Sequence, residues 1–211
     1  MTTEDIDKLK LKTGTTTVGL VCKGATILGA DRKATMGHLV ASKEAQKVYQ
    51  IDDNLGMTIA GSVGDAQAII RYIKAELKLY ELNEDKKMPI ASAATLIGNI
   101  LYSSKWYPYW VQLIVGGYDS TPRLFSLGPD GSVMEEKYFS SGSGSVMAFG
   151  VLEDGFNEGM EIKDAMRLVA KSIKSATKRD IYSGGSGIDI SVIEKGKFKK
   201  LTDAEVEKLL E

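Results

Sequence analysis

The chain has 211 residues, 43% hydrophobic and 26% charged, with 27 Lys+Arg against 28 Asp+Glu, one Cys and one His. That length can bury the core of one domain, and a net charge of −1 excludes a global basic field for nucleic acid or an anionic membrane. Cys22 and His38 are the whole supply of their kinds, which excludes an internal disulfide, a zinc site of several Cys and His, and any histidine triad not run through His38.

Residues 1–14 alternate charged and isolated apolar side chains, without the apolar stretch of a signal peptide, and no run approaches the roughly 18 apolar residues of a membrane span. A cytoplasmic address is expected. From Thr15 to Val63 the chain reads mainly as strands. Residues 15–22 and 25–31 flank a Lys23-Gly24 turn, and 48–52 and 56–63 flank a turn over Asp52–Gly56. Asp65 is predicted to cap a helix to about Leu82, with Ile69, Ile73, Leu77 and Tyr80 on one face. Pro89 suits the first position of a second helix, striped by Ile90, Ala93, Ala94, Ile97, Ile100 and Leu101. Strands return at 110–118, 123–128 and 132–139, the last two joined by Pro129-Asp130-Gly131. A Gly/Ser loop over 140–145 leads into a short helix at 146–153. Ile162, Met166, Val169, Ile173 and Ala176 mark another helix, and 187–193 a closing strand. Thr202 and Glu205 have capping-box spacing before a terminal helix. With no repeat or linker, this order predicts a single α+β domain rather than strict βαβ alternation.

Glycine is in excess, 22 of 211 residues against an average of about 7%. The glycine-rich loops 61–65, 140–145 and 183–187 could each cradle an anion with backbone N–H groups, but none fits a nucleotide-binding pattern, and alone each reads as a tight turn. Cys22 reads as a buried thiol, His38 as a surface or half-buried imidazole, and Lys171, Lys174 and Lys178 with Arg179 as a solvated helix face. Thr15-Thr16-Thr17 after Gly14 reads, taken alone, as plain β-propensity. Cleavage between Gly14 and Thr15 would nonetheless put a free α-amine, with a reference pKa of about 7.7–8.0, beside a hydroxyl. Such an amine can take the hydroxyl proton without a histidine.

Four blocks then carry a specific resemblance: residues 15–52, residues 56–67, SSGSGSVMAFGVLE from Ser140, and KRDIYSGG from Lys178. In this order and spacing, from Thr15 to about Ile193, the chain resembles proteasome β subunits of the archaeal type, which are N-terminal-nucleophile hydrolases. The resemblance implies a four-layer αββα sandwich with two antiparallel sheets between helix layers. It implies a self-processing threonine endopeptidase, with residues 1–14 as a propeptide removed by autolysis and 15–211 as one catalytic domain. Thr15 matches the nucleophile, Asp31 and Lys47 its acidic and basic partners, and Gly61 the residue whose N–H faces the oxyanion. Ser143, Asp180 and Ser183 match the set that orients the terminal amine. Gly14 and Thr15 form the cleavage site.

Ala34, Ala45, Tyr49, Ile59 and Val63 match positions around the pocket for the residue before the scissile bond. Their uncharged character predicts cleavage after apolar or aromatic residues. The family further implies proteasome α subunits, seven-membered β rings, an ATP-dependent unfoldase cap acting through the α ring, and protein substrates. It implies no cofactor, metal, nucleic acid or membrane. The other reading is a non-catalytic, ring-forming subunit, against which Thr15, Asp31 and Lys47 stand together. A bacterial relative suits the 14-residue leader less well, and a small-amide hydrolase of the same superfamily has no substrate motif here. The segment Ser183–Asp189 is one residue longer than the expected S-G-x-G-I-D, which leaves the course of that loop open.

Overall fold

A computed structural model of the chain describes residues 14–211. The propeptide expected over residues 1–14 therefore lies outside the described residues, apart from Gly14.

The first strands are β1 (Thr17–Cys22) and β2 (Ala25–Asp31), a hairpin closed over Gly24 at φ +80°. Two short strands follow, β3 (Ala34–Met36) and β4 (Leu39–Ser42), which among the described residues pair only with each other. These were not legible in the sequence, because three- and four-residue ribbons carry no periodicity. Next come β5 (Val48–Asp52) and β6 (Leu55–Gly61), then helices α1 (Val63–Glu84) and α2 (Ile90–Ser103). Strands β7 (Val111–Tyr118), β8 (Pro122–Leu127), β9 (Val133–Glu135) and β10 (Tyr138–Ser141) lead to helices α3 (Ser145–Gly155) and α4 (Ile162–Thr177). Strands β11 (Ile188–Glu194) and β12 (Lys197–Lys200) and helix α5 (Asp203–Leu210) finish the chain.

The other ten strands form two antiparallel five-stranded sheets, ordered β10-β1-β2-β11-β12 and β5-β6-β7-β8-β9. Three apolar clusters set their surroundings. Ile69, Ile73, Ile97 and Leu101 of α1 and α2 pack on Met57, Leu113 and Val115 of the second sheet. Val169 and Ile173 of α4, Leu152 of α3 and Val206 of α5 pack on Val18, Leu20, Ile27 and Ile190 of the first. Leu28, Ile114, Leu124 and Ile193 form the third, with members from both sheets. Strand β2 is central to its sheet and buried at all seven positions, which explains why ATILGAD is a continuous small-and-apolar run rather than an alternation.

Four expectations are corrected. The run 132–139 is not one strand. Glu136 N–H donates to Leu124 O (2.9 Å) on β8, while the next residue, Lys137, accepts from Val21 N–H (2.8 Å) on β1. The chain crosses from one sheet to the other between these two residues, so β9 and β10 belong to different sheets. The cap of α1 is Ser62, whose side chain accepts from Asp65 N–H (3.4 Å); Asp65 lies in the first turn and Val63 is helical, so β6 ends at Gly61. The first strand starts at Thr17 rather than Thr15, because Thr16 gives its N–H to the Asp31 side chain (2.9 Å) instead of to a strand partner. Pro89 likewise stands just before α2, as its N-cap, and the capping box of Thr202 and Glu205 forms as expected.

Candidate active site

Strand β2 ends at Asp31, and the chain turns there, so this carboxylate leaves the ladder and enters the interior fully buried. All four of its lone-pair directions are filled. Oδ1 accepts from Thr16 N–H (2.9 Å) and from Lys47 Nζ (2.7 Å); Oδ2 accepts from Lys33 N–H (3.1 Å) and Gly184 N–H (2.8 Å). Lys47 stands just before β5 and is 7% exposed. Burial pushes its ammonium below the ordinary lysine value, while the Asp31 charge and hydrogen bond pull the other way.

Thr15 lies between this pair and a second group of polar side chains. Its N–H donates to Ser143 Oγ (3.2 Å), and Ser143 donates to Asp180 Oδ2 (2.6 Å). Ser183 donates to the same carboxylate oxygen (2.5 Å). A hydroxyl has one proton, so the 2.7 Å contact between Thr16 and Ser183 is donated by Thr16. Five residues expected around the nucleophile thus form two connected groups: Asp31 with Lys47, and Ser143 with Asp180 and Ser183. Thr15 joins the second through its nitrogen, and Thr16, missed by sequence reasoning, touches both. The Thr15 hydroxyl donates to Gly14 O (2.7 Å), which sets it against the carbonyl of the bond joining the two residues.

Gly14 admits no side chain. A Cβ there would lie 1.7 Å from Tyr182 Cβ, and its N–H donates to Thr35 Oγ1 (3.3 Å). Gly61 is constrained differently, at φ +126° with the site of a Cβ only 2.1 Å from Trp110 O. Only glycine takes that conformation readily. Trp110 in turn accepts from Ser62 N–H (2.7 Å) and donates its own N–H to Asp65 Oδ2 (2.9 Å), so the turn into α1 is fixed from both sides.

A cavity of about 60 Å³ opens beside Thr15, and its walls include Lys47 and Gly61. All five expected pocket positions, Ala34, Ala45, Tyr49, Ile59 and Val63, line it. Thr35, Gln46 and Ala66 line it as well, and nothing in their local pattern singled them out. Tyr49 reaches across to donate to Gln46 O (2.8 Å), and burial raises its phenol pKa. The wall is mainly apolar, and among the described residues it holds no carboxylate and has Lys47 as its charged residue.

The residues set aside keep bland places. Cys22 is buried with its thiol pushed up to about 11 by desolvation, too high for a thiolate nucleophile. His38 and Lys171, Lys174 and Lys178 are exposed. Among the described residues, no helix is long and apolar enough to cross a membrane.

Comparison with known proteins bears on the whole chain. The family model described as "Proteasome subunit" matches residues 11–193. A protein named proteasome subunit beta from Methanocaldococcus vulcanius is 52% identical over 200 residues, covering 93% of this chain and 89% of the relative. One of the same name from Methanosarcina mazei is 47% identical over 203 residues, covering 95% and 96%. Proteasome subunit beta 1 of Thermococcus onnurineus is 44% identical over 201 residues, covering 95% and 98%. A match to the family model over residues 11–193 and to its β members over more than nine-tenths of the chain leaves one assignment: the chain belongs to the proteasome subunit family, on its β side.

Proposed function

We propose that this β subunit is a threonine-type endopeptidase of a proteasome core, processed by itself between Gly14 and Thr15 and built as the αββα sandwich of N-terminal-nucleophile hydrolases. The observation that carries the reading is the setting of Thr15. Its hydroxyl lies on the Gly14 carbonyl, its nitrogen on the Ser143–Asp180 chain, and its side chain in the same cavity as Lys47. In processing, Oγ bonds to the Gly14 carbonyl carbon, its proton passes to the Thr15 nitrogen as the C–N bond breaks, and water hydrolyses the resulting ester. Residues 1–14 leave with a Gly14 carboxylate, and Thr15 keeps a free amine. In turnover that amine takes the hydroxyl proton as Oγ attacks a substrate carbonyl and returns it to the leaving amine; water, giving a proton to the same amine, then cleaves the acyl ester, and the proton goes back to Oγ as the carboxylic acid product leaves.

The Lys47 ammonium favours ionised Oγ, and Asp31 holds it in place. The extra methyl of threonine restricts χ1 and so the line of attack. The N–H of Gly61 serves the oxyanion, a contribution of about 2.7–4 kcal/mol in hydrolases of this general kind. The apolar wall of Ala34, Ala45, Ile59 and Val63, with Tyr49, selects an apolar or aromatic residue before the scissile bond. Seven-membered β rings capped by α subunits, fed by an ATP-dependent unfoldase in the cytoplasm, provide the compartment in which unfolded proteins meet this site.

The test is intact mass before and after mixing with an α subunit. Loss of residues 1–14, abolished together with peptide hydrolysis in Thr15→Ala, is the expected result. A full-length mass in an active particle would overturn the terminal-amine mechanism.

A further inference from the structure

We propose that Arg32 is a positioning residue for this site and that Asp203, at the start of the C-terminal helix α5, is the anchor that sets it. The inference rests on the reading of Thr15 given above. Arg32 follows Asp31 directly, and its peptide spans the two polar groups around the nucleophile. Its N–H donates to Gly184 O (2.9 Å), next to Ser183, while its carbonyl accepts from Ala45 N–H (2.8 Å), two residues before Lys47. Gly184 in turn gives its N–H to Asp31 Oδ2 (2.8 Å). A shift of the Arg32 backbone therefore moves the loop of Asp180 and Ser183 and the approach to Lys47 together.

The side chain fixes where that backbone lies. The side chain is 14% exposed, and its guanidinium donates through Nε to the buried Asp189 (3.0 Å) and through both Nη atoms to the two oxygens of Asp203 (2.5 and 3.3 Å). Asp189, on β11, also pairs with Lys200 (3.0 Å). A planar fork can satisfy two carboxylates in fixed directions; a lysine ammonium cannot. Asp203 is not needed to close its own helix, because Thr202 and Glu205 already form the capping box. Its paired bonds to Arg32 tie the far end of the chain to the residue beside Asp31.

The assembled particle with its α subunits supplies the test, read with a short fluorogenic peptide. Hydrolysis surviving in Thr15→Ala would sink the underlying reading and not this one alone. With that control inactive, Asp203→Ala lowers kcat about three- to tenfold, with KM within about twofold, as expected for misplacement from a distance. Asp203→Glu regains most of the loss. Arg32→Lys shows a similar kcat loss, and the double variant adds little to it. Glu205→Ala removes the acceptor half of the α5 capping box without touching Arg32 and leaves kcat unchanged. Wild-type kcat in Asp203→Ala overturns the proposal, and so does an equal loss in Glu205→Ala, which would mark fraying of α5 as the cause.

Discussion

The two sides of Thr15 are built from different material. Asp31 and Lys47 sit where strands end and begin, fully or almost fully buried, and each Asp31 oxygen is saturated. Ser143, Asp180 and Ser183 sit on loops, and Ser143 is exposed. The lysine side concerns a net charge, whose position and hydration decide its effect, so the sheet frame and the closed interior both serve it. The amine side concerns direction: a hydroxyl and a carboxylate orient one nitrogen, and loops can do that beside water. The lysine side should therefore fail by collapse and the amine side by degrees.

The largest effect follows from Asp31→Asn. The amide would turn an NH₂ toward donors on one of two oxygens that now only accept, and would leave the Lys47 ammonium buried without its counter-charge. Breaking a buried pair in this way costs about 3–5 kcal/mol. Chemical denaturation should show a midpoint loss of that size, with hydrolysis absent even in chains that fold. An Asp31→Asn protein of unchanged stability would show that the pair is not held as tightly as its distances imply.

The same contrast explains what could be read in advance. The main strands and the four longer helices follow from periodicity, and Thr202 with Glu205 announces its cap. Residues expected to surround Thr15 by family resemblance do lie around it, but no spacing rule brings Thr15, Lys47, Ser143 and Asp180 together; sheet register and loop course do that. Gly184 escaped notice because it acts through its backbone N–H, which every residue has, and Thr16 because its contacts, an N–H to Asp31 and a hydroxyl to Ser183, depend on how distant segments meet. Thr35 and Ala66 reach the pocket from β3 and α1, each as one ordinary side chain in its element. The break between β9 and β10 was hidden because both halves have strand composition, and only the diverging bonds of Glu136 and Lys137 separate them.

On the amine side, Ser143→Ala removes the acceptor of Thr15 N–H and one of two hydroxyl donors to Asp180. Ser143 is exposed, so water can replace it at the carboxylate. Folding should be unchanged within about 0.5 kcal/mol, as for a surface substitution. In the processed particle kcat should fall about ten- to a hundredfold, the loss of one or two oriented hydrogen bonds. Thermal melting and steady-state kinetics check both halves. A loss of stability comparable to that of Asp31→Asn would erase the distinction between the two sides.

The smallest effect tests whether the sides are insulated from one another. Lys33 Nζ donates to Ile181 O (2.6 Å) and Ser183 O (3.3 Å), on the amine-side loop, yet its charge also weakens the hold of Lys47 on its proton. Activity that needs a charged Lys47 is present while that group is protonated and disappears as pH rises through its lowered pKa. The alkaline limb of kcat/KM should therefore fall below the ordinary lysine value of 10.5. Lys33→Met removes a like charge, so Lys47 keeps its proton to higher pH and the limb moves upward. Profiles of both proteins with one short peptide decide the matter. An upward move of the alkaline limb, with the acid limb in place, marks Lys33 as acting through charge. A shift confined to the acid limb, where the Thr15 amine titrates, would mean that it acts by holding the loop, and that the two sides are coupled through structure rather than through field.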